Sequence, residues 1–128
     1  MLSLFHKKKK VLIVEDHVSL RKALTLGLEP LGVTILEASN GKQGLEMIHK
    51  ESPDLVLLDL MMPIMDGISL LKALREKNPD TAHPHVLVIT NSNNEELIQE
   101  GMNLGIAGYI LKSDWNMEQM VEMIKKWL

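Results

Sequence analysis

Residues 54–67 read DLVLLDLMMPIMDG, and the rest of the chain is organised around them. The apolar run Leu55-Val56-Leu57-Leu58 is too short for a helix and has the length of a strand buried on both faces. It stops at a carboxylate, Asp59. Met62-Pro63 closes the strand, because proline has no N–H for a ladder and holds its predecessor extended. Asp66-Gly67 supplies a turn and a helix start for an amphipathic segment over 68–77. Asp59 is therefore expected at the carboxyl end of a central strand, where open α/β sheets place their ligands. Alone, such a residue reads more simply as a solvated strand terminator, so its surroundings decide.

Upstream, Val11-Leu12-Ile13-Val14 is a first apolar run ending in Glu15-Asp16. Val18, Leu20, Leu24, Leu28 and Leu31 then recur at near-helical spacing until Pro30-Leu31-Gly32 stops the helix. Residues 33–37 alternate apolar and polar, as an edge strand should. Asn40 with Gln43 has the form of a capping box for a helix running through Leu45, Met47 and Ile48 to Ser52-Pro53. Downstream, the helix after Asp66 ends at Asn78-Pro79, and a buried run from His85 to Ile89 ends in Thr90. Asn93 with Glu96 is the expected cap of a helix over 95–103. Tyr109-Ile110-Leu111 ends at Lys112, and the last helix carries Met117, Met120, Val121, Ile124 and Leu128 on one face. Five strand–helix units imply an α/β fold, a doubly wound five-stranded parallel sheet with five helices. No residue pattern recurs from unit to unit, which excludes a solenoid.

The bulk numbers narrow the class. A chain of 128 residues forms one domain. With 45% apolar and 24% charged residues it has the balance of a globular protein. A net charge of −3 is the wrong sign for a nucleic-acid surface. There is no cysteine, which excludes disulfides and thiolate metal sites and fits a cytoplasmic location. No apolar stretch approaches the roughly 20 residues of a membrane helix. At the start, charge follows the apolar residues, the reverse of a secretory signal, so residues 1–9 read as a basic leader.

The chemistry lies in what terminates the buried runs: Glu15-Asp16, Asp59, Thr90 and Lys112. A parallel sheet brings all of them to one edge. Two carboxylates ~4 Å apart repel by roughly 4 kcal/mol at an effective dielectric of 20, so three together call for a cation. Mg²⁺ takes oxygen ligands from one or two carboxylates, with water and phosphate completing its octahedron. An Asp beside Mg²⁺, with a lysine and a threonine for phosphoryl oxygens, has the parts for aspartyl phosphorylation.

Over residues 10–128 the chain resembles a response-regulator receiver domain of two-component signalling, of the single-domain chemotaxis-receiver type. The motifs that carry the resemblance are VLIVED, LLDLMMPIMDG, the strand-end Thr90, Tyr109 and Lys112. It implies the flavodoxin-like strand order 2-1-3-4-5. It also implies Asp59 as phosphoacceptor, with Mg²⁺ held by Asp16, Asp59 and the Met61 backbone carbonyl, and Glu15 acting through water or as a near ligand. Lys112 would pair with Asp59 and then with a phosphoryl oxygen. Thr90 would take another oxygen, and Tyr109 would turn inward behind it. The implied partners are a sensor histidine kinase or histidine phosphotransfer protein upstream and a protein target downstream, with no nucleic acid or membrane. The role is a signalling module, not an enzyme beyond its own phosphotransfer and dephosphorylation. Asn91 and Ser113 depart from the small residue and the proline usual in the family, without removing a chemical group from the site.

Other features carry less. His83-Pro84-His85 lacks a neighbouring carboxylate cluster and reads as a loop. Gly101, Gly105 and Gly108 follow a helix and precede a strand, which fails the context of a nucleotide loop. Met123 and Trp127 lie beside the main apolar stripe of the last helix and form the candidate face for a homodimer. A Mg²⁺-dependent phosphohydrolase is the competing class, but it needs an acid/base carboxylate two residues after its nucleophile, where this chain has Met61. Since no further residues follow the fifth helix, the expected output is another protein or a further domain.

Overall fold

The structure, a computed structural model, describes residues 8–77 and 84–128. The start of the leader, the helix stop at Asn78-Pro79 and His83 lie outside the described residues. In chain order the elements are β1 (Lys10–Val14), α1 (Val18–Leu28), a 3-10 turn (Glu29–Leu31), β2 (Thr34–Ala38), α2 (Gly41–Glu51) and β3 (Leu55–Leu58). There follow α3 (Gly67–Lys77), β4 (His85–Thr90), α4 (Glu95–Asn103), β5 (Gly108–Leu111) and α5 (Met117–Lys125). The strands form one parallel sheet in the order β2-β1-β3-β4-β5, the order expected.

Strand periodicity divides each buried run between two faces. Leu12, Val14, Val56, Leu58, Val86 and Val88 point to one side and pack with Ile48, Leu70, Leu71 and Leu74 from α2 and α3. Val11, Ile13, Leu55, Leu57, Leu87, Ile89 and Ile110 point to the other and pack with Leu24, Leu28, Met120 and Ile124 from α1 and α5. Nearly all are fully buried, and each contributes about 1.5–3 kcal/mol of burial free energy. This is why the central runs are apolar without a polar alternate, whereas edge strand β2 keeps Glu37 exposed.

Several boundaries moved by one residue. β2 begins at Thr34 and extends to Ala38, because its ladder with β1 continues to the Val14–Ala38 pair. The cap of α4 is Asn94 and not Asn93: its Oδ1 accepts from Glu96 N and Leu97 N at 2.9 and 3.3 Å. Asn40 caps α2 through Gln43 N, but the Gln43 side chain accepts from Ser39 and so does not close the expected box. Pro30 lies in the 3-10 turn after α1, and Gly32 ends that turn at φ 68°. Met123 and Trp127 are partly buried against the α1/α5 core, and the Trp127 ring lies 5.3 Å from that of His85. Among the described residues no helix is long and apolar enough to cross a membrane.

Candidate functional site

The register of the sheet assembles the site. Val14 pairs with Leu58, and Leu58 with Val88. Asp59 N then donates to Val14 O at 3.1 Å, and Lys112 N to Thr90 O at 2.9 Å. Parallel strands ending level in this way bring Glu15, Asp59, Thr90 and Lys112 to one edge, as the run ends predicted. The order β1-β3-β4-β5 puts the acidic pair on one flank of Asp59 and the threonine and lysine on the other.

Lys112 Nζ is the hub. It donates to Glu15 Oε1 at 2.5 Å and to Asp59 Oδ2 at 3.1 Å. The sequence led to the Asp59 contact; the shorter one to Glu15 was not foreseen. Glu15 and Asp59 are only 3% and 4% exposed, and Thr90 is fully buried. The remaining Asp59 oxygen accepts from Met61 N at 3.2 Å, so the residue expected to offer a carbonyl is tied to the acceptor. Thr90 Oγ1 accepts from Ser92 N at 3.2 Å, which orients its hydroxyl within the β4–α4 loop. Asn91 is exposed at the start of that loop. Tyr109 is 38% exposed on β5.

One ammonium cannot satisfy this many oxygens. Glu15 Oε2 and Asp16 Oδ1 are buried and accept no hydrogen bond, an arrangement that costs free energy unless a cation is bound. Carboxylate oxygens of Glu15, Asp16 and Asp59 lie within 4.8 Å of one another, and His17 adds a ring nitrogen to the group. The donor set therefore fits a divalent cation. His17 was not singled out from the sequence, although it directly follows Glu15-Asp16. Arg21 was also missed: its Nη1 donates to Glu15 O at 2.7 Å while Nε pairs with Glu37 at 3.2 Å, fixing the β1–α1 loop.

Burial, reinforced by a hydrogen bond with Asp59, raises the Glu15 pKa from 4.5 to about 7, against the pull of Lys112. Burial also disfavours the Lys112 ammonium, but its two carboxylate partners more than offset this and raise its pKa above 10.5. Lys112 thus stays charged through neutral pH. Between the ordinary and folded values of Glu15 the native state holds more protons than the unfolded one, so stability falls as pH rises. Without added cation, raising the pH from about 5 to about 7.5 should lower the unfolding free energy by on the order of 2–3 kcal/mol. Urea denaturation in a chelator would measure it, and Glu15→Gln should flatten the slope. An unchanged slope in that variant would place its source elsewhere.

The family model for the response regulator receiver domain matches residues 11–125. The chain is 41% identical over 105 residues to the transcriptional regulatory protein YdfI of Bacillus subtilis, covering 80% of this chain and 47% of that protein. It is 33% identical over 120 residues to sporulation initiation phosphotransferase F of the same organism, covering 94% of each. The chain thus spans about half the length of YdfI and nearly all of the phosphotransferase. Chemotaxis protein CheY4 of Vibrio cholerae superposes with a TM-score of 0.84 at 28% identity, over 95% of this chain and all of that one.

Proposed function

The chain belongs to the response regulator receiver domain family of two-component signalling, and on that premise we propose that Asp59 is its phosphoacceptor. The observation that supports this most directly is the Lys112 ammonium bridging Glu15 and Asp59 beside two unsatisfied buried carboxylate oxygens. Receiver domains take phosphate from histidine kinases or phosphotransfer proteins. Here a carboxylate oxygen of Asp59 would attack the donor's phosphorus, forming an O–P bond as the P–N bond to the donor imidazole breaks. Mg²⁺ held by Asp16, Asp59 and the Met61 carbonyl, with Glu15 through water, would supply positive charge against the phosphoryl oxygens. Lys112 then exchanges its Asp59 contact for a phosphoryl oxygen, a charge-assisted bond that stabilises the transition state.

The product carries a group of charge about −1.5 to −2 where a carboxylate stood. In the proposed switch the Thr90 hydroxyl leaves Ser92 N for a phosphoryl oxygen, drawing the β4–α4 loop inward. Tyr109, now half out in solvent, follows into the space behind it and remodels the face offered to a downstream protein. The proposed receiver spans 10–128 after a basic leader over 1–9 and works in the cytoplasm. It acts on no substrate beyond its own phosphoryl group. The test is mass spectrometry after incubation with acetyl phosphate and Mg²⁺. One phosphate should be added to the parent and none to Asp59→Asn; full labelling of that variant would sink the assignment.

A further inference from the structure

His17 stands outside the family's oxygen ligands, yet its ring faces them. Its Nδ1 lies 3.5 Å from Asp16 Oδ1 and 3.9 Å from Glu15 Oε2, the two oxygens without a hydrogen-bond donor. Ligand atoms of Glu15, Asp16, His17 and Asp59 all fall within 4.8 Å. Around an octahedral ion with bonds of about 2.1 Å, cis ligands are about 3.0 Å apart and trans ligands about 4.2 Å. The His17 separations of 3.5 and 3.9 Å fall between those two values, so small side-chain rotations would close the set around one ion. His17 is also the N-cap residue of α1, but its side chain makes no capping hydrogen bond. The imidazole is therefore not committed to the helix and turns to the carboxylates instead. The buried Glu15 Oε2, aimed into the same space without a partner, independently marks it as a place for a cation.

We propose that His17 Nδ1 is a nitrogen ligand in this site, which fits it to a first-row divalent transition ion in preference to Mg²⁺. The inference rests on the preceding reading that a cation sits beside Asp59. Mg²⁺ is hard, keeps several waters and gains little from imidazole. Imidazole suits the transition series, whose affinities for a given site rise from Mn²⁺ to Cu²⁺. Mn²⁺ lies at the weak end of that series, so an effect seen with it is a lower bound. Its paramagnetism also reports a bound nitrogen directly.

The experiment is pulsed EPR and calorimetry on the full chain with one equivalent of Mn²⁺, beside a calorimetric titration with Mg²⁺. The parent should show ¹⁴N coupling from one directly bound imidazole, absent in both His17→Ala and His17→Gln. His17→Ala should weaken Mn²⁺ by at least about tenfold, the lower end of the loss seen on removing a ligand's supporting partner, and change Mg²⁺ by less than about twofold. The side chain is 67% exposed, so neither substitution endangers folding. Mn²⁺ that binds, is weakened by Asp59→Asn and shows no nitrogen coupling would overturn the role of His17 while leaving the cation site intact. Failure of both ions to bind would overturn the role of His17 and the cation reading together, and phosphorylation of Asp59 would still be judged by its own mass measurement.

Discussion

Lys112→Met should cost about 3 kcal/mol of stability at pH 8, the low end for breaking a buried ion pair by removing one partner. The reason is the company Lys112 keeps. Its ammonium is the cation hydrogen-bonded to both Glu15 and Asp59, and all three side chains are at most 10% exposed. Methionine replaces much of the apolar stem but leaves two carboxylates facing each other with no counter-charge. At pH 5.5 the penalty should shrink by up to about 1.4 kcal/mol, because Glu15, at about 7 with the lysine present and higher without it, protonates and donates to Asp59. A divalent cation added at pH 8 should recover much of the loss by taking over the neutralising role. The same variant should take up phosphate from acetyl phosphate about 10²–10³ times more slowly, as when one preorganised donor to a developing oxyanion is removed. Urea titrations at the two pH values, with and without Mg²⁺, would measure the stability part. An equal penalty at both would mean that lost packing, and not exposed charge, is what the lysine prevents.

The strand ends were legible because burial and chemistry change at the same residue. Leu58 to Asp59, Ile89 to Thr90 and Leu111 to Lys112 each pass from an apolar run to a polar group, and a parallel sheet has only one edge at which to gather them. The strand order was not legible in the residues; it followed from the family resemblance, and the observed register agrees with it. What escaped depends on contacts between distant segments. Two adjacent asparagines could both cap α4, and only the path of the β4–α4 loop selects Asn94. His17 reads as an ordinary helix-start residue until Glu15 and Asp16 are placed around it. Ile64, a β-branched residue at φ 70°, is a local strain that no propensity predicts. It lies in the β3–α3 loop, whose shape is set from outside by two glycines: Gly41 N donates to Met65 O at 3.1 Å, and Gly67 N to Leu60 O at 3.0 Å.

Gly67→Ala should therefore damage the site from a position with no chemistry of its own. A Cβ there would lie 2.5 Å from the Asp59 carbonyl oxygen and 2.8 Å from Leu60 Cα. Both are main-chain atoms, so no side chain can swing aside. Either the start of α3 lifts off the loop and loses the Gly67–Leu60 hydrogen bond, or the backbone that aims Asp59 moves. Overpacking of this kind costs about 1–3 kcal/mol, and the preference of alanine over glycine in a helix returns up to about 1 kcal/mol. The net loss should be about 2 kcal/mol. The functional effect should be larger, since a displacement of about 1 Å at reacting groups can cost about 10²-fold in rate. Gly108→Ala is the matched control: its added Cβ would meet only Leu87 Cδ1 at 3.4 Å, an ordinary contact. That variant should stay within about 0.5 kcal/mol of the parent and be phosphorylated at the parent's rate. Denaturation midpoints and the rate of mass gain with acetyl phosphate would compare the two. If Gly67→Ala is destabilised yet phosphorylated at the parent's rate, α3 has yielded and the loop holds Asp59 in place without it. If rate and stability fall together only in Gly67→Ala, the close approach of α3 to the Asp59 carbonyl is what aims the acceptor.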